Sequence, residues 1–456
     1  MTLAKNQIIS LEITAASADG NGIGRYADTE HPSGLVVFVP YTAVGDSIRC
    51  RVTKVEKNCA FGRVEELLTP SPDRCDPGCA VFGKCGGCAW RHVTYQTELA
   101  YKQAHVADCI KRIGKIDLPV SPIVGAPSEY AYRNKAQYPV AAGETEPLIG
   151  FYAPRSHRIV AQRDCALQPP VFAEILNIVA DWMTAHAVTA YDEEQHRGLV
   201  RHIYIRRAEK TGEIMVCLVC TSGKVPQPDA LVDALRRVDG VVSVLVNINR
   251  EKTNVILGRN GFALWGKDSI TDTLCDLQFR LSPLSFYQVN RTQAERLYGL
   301  AAELAELTGN ETLLDLYCGT GTIGLSMAHR VKELIGVEIV ADAVEDARRN
   351  AAENGIHNAR FLCGNAADAA RQLRSEGVLP DVIVVDPPRK GCDEQLLQTI
   401  TRMDPARIVY ISCNPATLAR DLARLQEYGY VPTQITPVDM FPRTAHVETV
   451  ACLIRQ

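Results

Sequence analysis

The sequence predicts a multidomain α/β protein in three parts: a small N-terminal β-barrel over 1–68, a central α+β domain over 69–270 holding a cysteine cluster, and a doubly wound α/β domain over 271–456. Three observations predict this. Before residue 68, short apolar runs alternate with Gly-rich turns, the pattern of a small all-β module. A Pro-rich boundary, TPSPDRCDPGC, then leads into four cysteines crowded between Cys75 and Cys88. From Thr271 onward, strand-like apolar runs alternate with helix-like stretches, which implies a parallel sheet covered on both faces.

The 456 residues are enough for two to four domains. Hydrophobic content of 46% and charged content of 22% are ordinary for a globular chain. No apolar run approaches the ~20 residues that span a bilayer. The start, MTLAKNQIIS, lacks the apolar core of a signal peptide, so a cytoplasmic protein with no membrane partner is expected. A net charge of −4 excludes a polycation, and any nucleic-acid contact must come from local basic patches. A monomer is expected.

In chain order, strands are predicted at Ile8–Ile13, Leu35–Val39, Asp46–Val55 and Phe61–Leu67, with a turn at DGNGIGR (19–25). Barrels of this size commonly bind oligonucleotides. Arg49, Arg51, Lys54, Lys57 and Arg63 lie against the single acid Glu56 between them, either as a solvated face or as an RNA-facing one. Thr94 to Ile113 reads as an amphipathic helix, and Val171 to His186 as a second. Between and after them, strands are predicted at 135–140, 148–152, 200–206, 214–220 and 241–248. Here basic and aromatic residues interleave: Tyr130, Tyr132, Arg133 and Lys135; Arg155, His157 and Arg158; Arg197, Arg201, His202, Tyr204, Arg206 and Arg207. That mix suits phosphate pairing and base stacking. In the last part, strands are expected at 312–317, 333–338, 360–363, 381–385 and 407–412, with a closing pair at about 431–438 and 447–454.

The chemistry gathers at strand ends, where open α/β sheets bind ligands. LLDLYCGTGTIG (313–324) is a strand, a glycine turn and a helix start. Gly319, Gly321 and Gly324 match G-x-G-x-x-G, and Glu338 stands nineteen residues after Gly319, where a carboxylate can hold ribose hydroxyls. These features fit either NAD or S-adenosylmethionine. Asp386 with Pro387 and Pro388 ends the strand DVIVVD, in the manner of a methyltransferase cleft. Cys413 ends RIVYIS just before Asn414-Pro415. A buried core cysteine is the plain alternative, since free cysteine is often buried.

Together SFYQVN (285–290), DLYCGTGTIG (315–324), DPPRKG (386–391), SCNP (412–415) and HVET (446–449) resemble the RNA (uracil-5)-methyltransferases. The first segment resembles a TRAM domain, an RNA-binding appendage. With it and the cysteine cluster, nearly the whole chain resembles the 23S ribosomal RNA (uracil-5)-methyltransferases. The resemblance implies a Rossmann-like catalytic domain, S-adenosylmethionine as methyl donor and ribosomal RNA as partner. Transfer RNA is the alternative substrate, and the N-terminal module and cysteine cluster are expected to count against it. An RNA-binding iron–sulfur sensor without catalysis is the alternative of another class.

Carbon 5 of uracil is too weak a nucleophile to take a methyl group from a sulfonium. A thiolate adding at carbon 6 makes carbon 5 carbanion-like, so covalent catalysis is needed. Cys413 is the expected nucleophile, its pKa lowered by the helix that follows. The resemblance assigns Glu448 as the base that removes the carbon 5 proton, with His446 as a weaker proton-shuttle candidate. It carries cofactor contacts onto Gln288, Tyr317, Thr322, Glu338, Asn365 and Asp386, beside Gly319 and Gly321. Tyr317 and Thr322 replace the phenylalanine and asparagine of the best-known members. Four thiolates can hold zinc or a 4Fe–4S cluster. Within the set Cys79, Cys85, Cys88 and Cys165 only one short C-x2-C pair exists, Cys85 and Cys88. The resemblance favours the cluster, on Cys79, Cys85, Cys88 and Cys165, with Cys75 as a possible competitor.

Overall fold

A computed structural model describes residues 3–27 and 31–456. The first sheet holds β1 (Ile8–Glu12), β2 (Ala15–Ala16), β3 (Asn21–Tyr26), β4 (Leu35–Pro40), β5 (Ser47–Val55) and β6 (Cys59–Thr69), in the order β1-β5-β6-β4-β3-β2. Alternating residues such as Ile9, Leu11, Val37, Val39, Ile48 and Val52 fill its interior. The N–H of Thr14 donates to the carbonyl of Ile23 at 2.9 Å, which curls the end of β1 back toward β3. The stretch expected as a turn at 19–25 is mostly strand β3, because its glycines sit where neighbours press close. A Cβ on Gly24 would stand 2.9 Å from the carbonyl oxygen of Glu12. The basic stripe of β5 is answered across the sheet: Arg51 pairs with Glu65 at 2.6 Å and Arg49 with Glu66 at 3.5 Å.

Helix α1 (Tyr95–Arg112) follows the cysteine-rich loop, with Thr94 Oγ1 accepting from the N–H of Thr97 at its start. Next come β7 (Lys135–Ala141), β8 (Leu148–Tyr152), β9 (Ile159–Ala161), α2 (Val171–Ala185), β10 (Val200–Arg207), β11 (Ile214–Cys220), α3 (Pro228–Leu235), β12 (Val241–Ile248) and β13 (Asn260–Gly266). Their strands form a sheet ordered β13-β12-β11-β10-β7-β8-β9. One face packs under α2 and α3 through Ile203, Ile205, Val216 and Leu218. Tyr204, Met215 and Cys217 on the other face share a core with the C-terminal part.

That double burial corrects the expected RNA surface on β10. Arg201, His202, Tyr204 and Arg206 are all buried. Arg201 donates to the carbonyls of Asn249 and Glu251 at 3.1 and 2.7 Å, and Arg206 to those of Ser282 and Ser285 at 2.8 Å each. These guanidiniums tie segments together inside the protein, where backbone carbonyls answer their own buried charge. Tyr132 is buried too, its hydroxyl donating to the carbonyl of Pro442. Tyr130, Arg155, His157 and Arg158 stay exposed.

After the hairpin β14 (Ile270–Leu274) and β15 (Leu277–Leu281), the elements are α4 (Arg291–Ala305), β16 (Thr312–Leu316), α5 (Thr322–Met327), β17 (Glu333–Glu338), α6 (Ala341–Glu353), β18 (Ala359–Cys363), α7 (Ala366–Ser375), β19 (Val382–Val385), α8 (Glu394–Met403), β20 (Arg407–Ser412), α9 (Pro415–Glu427), β21 (Tyr430–Val438) and β22 (Glu448–Arg455). The sheet order is β18-β17-β16-β19-β20-β22-β21. β16 to β20 pair in parallel, and β22 runs antiparallel to both neighbours. Chain order reverses between β16 and β19, so a crevice opens at the carboxyl ends there. Although α1 precedes the central sheet, its Val106, Cys109 and Ile110 join the core on one face of this last sheet.

Candidate active site

The sheet places the candidate catalytic pair side by side. β20 ends at Ser412, which pairs with Thr449 of antiparallel β22. One step further, Cys413 leaves β20 at the point where Glu448 enters β22. Asp386 follows β19, the strand on the other side of β20. An acid, a thiol and an acid thus come from three adjacent strands at one edge.

Glu448 is buried, and desolvation, with help from Asp386, pushes its carboxyl up to about 8. Arg389 opposes that rise. Asp386 is itself pushed up to about 7 by desolvation. Cys413 is half-buried, and its thiol is raised, first by desolvation and then by the Glu448 and Asp386 carboxylates, against Arg389. This reverses the expected lowering by α9. Pro415 brings no N–H, and the Asn414 side chain already accepts from Ala416 and Thr417 at 3.1 and 3.5 Å. The helix amides are spent on their own cap, so the local cation is Arg389. Its backbone is pinned to the same turn, the carbonyl accepting from Asn414 Nδ2 at 3.1 Å and Thr417 Oγ1 at 3.2 Å. His446 is lowered by burial and by the cations Arg389, Lys102 and Arg133.

The glycine turn after β16 is shaped for a ligand. Gly319 has φ +55°, and a Cβ there would meet nothing within 4 Å, so its backbone faces open space. Glu338 closes the turn: Oε2 accepts from the N–H of Gly319 at 3.1 Å and Oε1 from that of Val340 at 2.8 Å. Both oxygens keep acceptor capacity for a diol. Gly321, at φ +83°, precedes α5. Tyr317 has φ +65°, an uncommon conformation for a residue with a side chain. An open glycine turn with a carboxylate at the next strand end suits an adenosine-bearing cofactor.

Other expected contacts have local partners. The Thr322 hydroxyl lies 3.1 Å from that of Tyr298, inside the protein. Asn365 Oδ1 caps α7 at the N–H of Ala367, 2.9 Å away. Gln288 is placed by Asn134, whose Nδ2 donates to its carbonyl at 2.9 Å. Sequence reasoning passes over Asp315, a lone acid inside an apolar strand. Its Oδ2 accepts from Gly324 at 2.9 Å, and desolvation pushes it up to about 8. The interrupted apolar run was the available signal.

Among the thiols, Cys88 is pushed up to about 12 by desolvation and by the charges of Cys165, Cys85 and Cys79. Cys165 feels Cys85 and Cys79 in the same way. Cys165 thus joins the other three from more than seventy residues downstream. Cys75 Sγ lies 3.7 Å from the carbonyl oxygen of Arg91. Among the described residues, no group of three or more Cys, His, Asp or Glu side chains is arranged to hold a metal ion. Cys85, Cys88 and Cys165 are all raised by desolvation.

The doubly wound sheet and its open glycine turn define the class, a methyltransferase-like fold suited to an adenosine-bearing cofactor. The comparisons give the particular family. Residues 4–64 match the TRAM domain, and residues 264–456 match the model of tRNA (Uracil-5-)-methyltransferase. An uncharacterized RNA methyltransferase of Clostridium tetani is 42% identical, covering 98% of this chain and 96% of that protein. Another, of Halalkalibacterium halodurans, is 44% identical over 98% and 97%. The solved structure of Pyrococcus abyssi tRNA (uracil-54, C5)-methyltransferase in complex with S-adenosyl-L-homocysteine is 28% identical, with a TM-score of 0.78, covering 98% of this chain and 100% of that one. The chain belongs to the S-adenosylmethionine-dependent uracil-5 RNA methyltransferases, with an N-terminal TRAM domain. Among the described residues, no helix is long and apolar enough to cross a membrane.

Proposed function

We propose that this enzyme methylates carbon 5 of a uridine in 23S ribosomal RNA, with Cys413 as nucleophile and Glu448 as base. The observation that carries the chemistry is the thiol and the buried carboxyl meeting on neighbouring strands at the open sheet edge. Cys413 Sγ bonds to carbon 6 of the uracil, helped by the Arg389 cation, and its proton passes to solvent or a nearby carboxylate. S-adenosylmethionine supplies the methyl group, which carbon 5 takes. Glu448 then removes the carbon 5 proton, and the Sγ–carbon 6 bond breaks to give 5-methyluridine. With its carboxyl raised to about 8, Glu448 must first give up its own proton, and the resulting carboxylate is then basic enough to take the one on carbon 5.

Gly319, Gly321, Glu338, Asp386, Tyr317 and Gln288 are proposed to line the cofactor cleft, with Asn365 and Thr322 at its margin. Residues 1–68 and 69–270 are proposed as RNA-binding parts, and 271–456 as the catalytic domain. Cys79, Cys85, Cys88 and Cys165 would hold a 4Fe–4S cluster, which holds its loop in shape. The mutual influence of Cys88 and Cys165 with Cys85 and Cys79 is the support for a shared centre.

Transfer RNA is the second reading, favoured by the full-length likeness to the Pyrococcus abyssi enzyme. That likeness removes the argument that this architecture counts against transfer RNA. The deciding experiment incubates the protein with S-adenosylmethionine and, separately, unmodified ribosomal and transfer RNA, then quantifies 5-methyluridine by mass spectrometry. Product in ribosomal RNA alone supports the proposal, and product in transfer RNA alone replaces it with the second reading. A Cys413→Ala variant that still methylates either RNA overturns the nucleophile.

A further inference from the structure

Residues 439–447 connect β21 to β22 and end on Glu448. One residue in that loop, Arg443, is buried and has φ +71°. Its backbone carbonyl accepts from the N–H groups of Ala89 and Trp90 at 2.8 and 3.1 Å. Ala89 directly follows Cys88. The Arg443 guanidinium donates to the carbonyl of Val93 at 2.8 Å and pairs with Glu129. Its backbone N–H donates to Glu98 Oε1 at 2.7 Å. The thiol loop, the start of α1 and the segment before Tyr132 therefore all converge on one residue of the catalytic loop.

The surrounding charges reinforce that junction. Lys102 Nζ lies 2.7 Å from both Glu98 Oε1 and Asp439 Oδ1, and it also donates to the carbonyl of Phe441 at 3.2 Å. Tyr95 donates to Asp439 Oδ2 at 2.8 Å. Lys102, Glu98 and Asp439 are each at most 2% exposed. A buried ion network of this kind tolerates no missing member, because each loss strands an unpaired charge. The barrel reaches the same spot, since a Cβ on Gly20 would stand 2.6 Å from that of Ala89 and 3.7 Å from that of Ala445.

We propose that Arg443 is a positioning residue that couples the thiol loop to the catalytic loop, so that Glu448 is held for proton removal only while the loop around Cys79, Cys85 and Cys88 is ordered. The inference rests on the proposed role of Glu448. Its structural half, the coupling of the two loops, is independent of that role. Glutamine at 443 keeps the backbone hydrogen bonds but loses the charged fork, which leaves Glu129 and Glu98 without that partner. Charged hydrogen bonds of this type weigh enough to raise local opening by about tenfold or more.

The test compares the full-length wild type with Arg443→Gln, Glu129→Gln and Cys88→Ser. Hydrogen–deuterium exchange is read on peptides covering 439–449, with β17 peptides as the internal reference. The same proteins are incubated with S-adenosylmethionine and RNA, and the protein–RNA adduct is quantified on denaturing gels. Coupling predicts exchange in 439–449 faster by about tenfold in Arg443→Gln and in Cys88→Ser, with a smaller change in Glu129→Gln. It also predicts that Arg443→Gln accumulates adduct, with kcat lowered and KM for RNA little changed. Unchanged exchange at 439–449 in Cys88→Ser, or faster exchange everywhere including β17, overturns the coupling. Local opening without adduct, in a wild type that turns over, leaves the coupling standing and removes Glu448 as the base.

Discussion

Replacing Glu448 with glutamine should stabilise the RNA-free protein while stopping turnover. Glu448 is buried, and its carboxyl is pushed from an ordinary 4.5 up to about 8, chiefly by desolvation. A group with a raised folded pKa gives its full contribution below the unfolded pKa and loses it as pH climbs toward the folded one. Between pH 4.5 and 8 the unfolded chain releases this proton and the folded protein keeps it, so stability falls with pH across that window. Each unit of the gap is worth ~1.4 kcal/mol, so by pH 7 the carboxyl costs roughly 3 kcal/mol. Glutamine fills the same volume and does not titrate. The variant should therefore melt higher than wild type at pH 7, by about 6–12 °C for the catalytic domain at 2–4 °C per kcal/mol. The difference should shrink toward pH 4.5. Differential scanning calorimetry at a series of pH values reads it, and the same variant incubated with RNA and S-adenosylmethionine should accumulate the covalent adduct. A variant that melts below wild type at pH 8, or by a pH-independent margin, refutes the desolvation argument.

Glu338→Ala should weaken binding of S-adenosylhomocysteine at least tenfold by calorimetry, because it frees the Gly319 turn as well as removing a ribose partner. Arg206→Ala should lower stability by about 3 kcal/mol with little direct effect on RNA affinity, since its two carbonyl partners are inside the protein. Arg158→Ala, at an exposed position, should leave the melting curve unchanged and weaken RNA binding more at low salt than at high salt. Anaerobically purified protein should contain about four irons per chain by elemental analysis and lose them in Cys88→Ser; one zinc and no iron would replace the cluster with a zinc site.

The sequence by itself determined the strand and helix pattern of the C-terminal part, because parallel strands buried on both faces read as unbroken apolar runs. It also located Cys413, Glu338 and the glycine turn at strand ends, where an open α/β sheet binds ligands. The Pro415 start of α9 was legible for the same local reason. Only the tertiary structure decided which charges face water. The basic residues of β10 suggest a solvent-facing strand, yet both of its faces are covered and Arg201 and Arg206 become internal ties. The thiol state of Cys413 was likewise not local: a helix start predicts a lowered pKa, whereas two carboxyls from neighbouring strands and burial raise it. Arg443 lies more than three hundred residues from the loop it holds, and no spacing rule joins them. Short-range patterns fix elements because periodicity and turn chemistry act within a few residues. Desolvation and buried charge pairing depend on what else is packed nearby, which only the folded chain brings together.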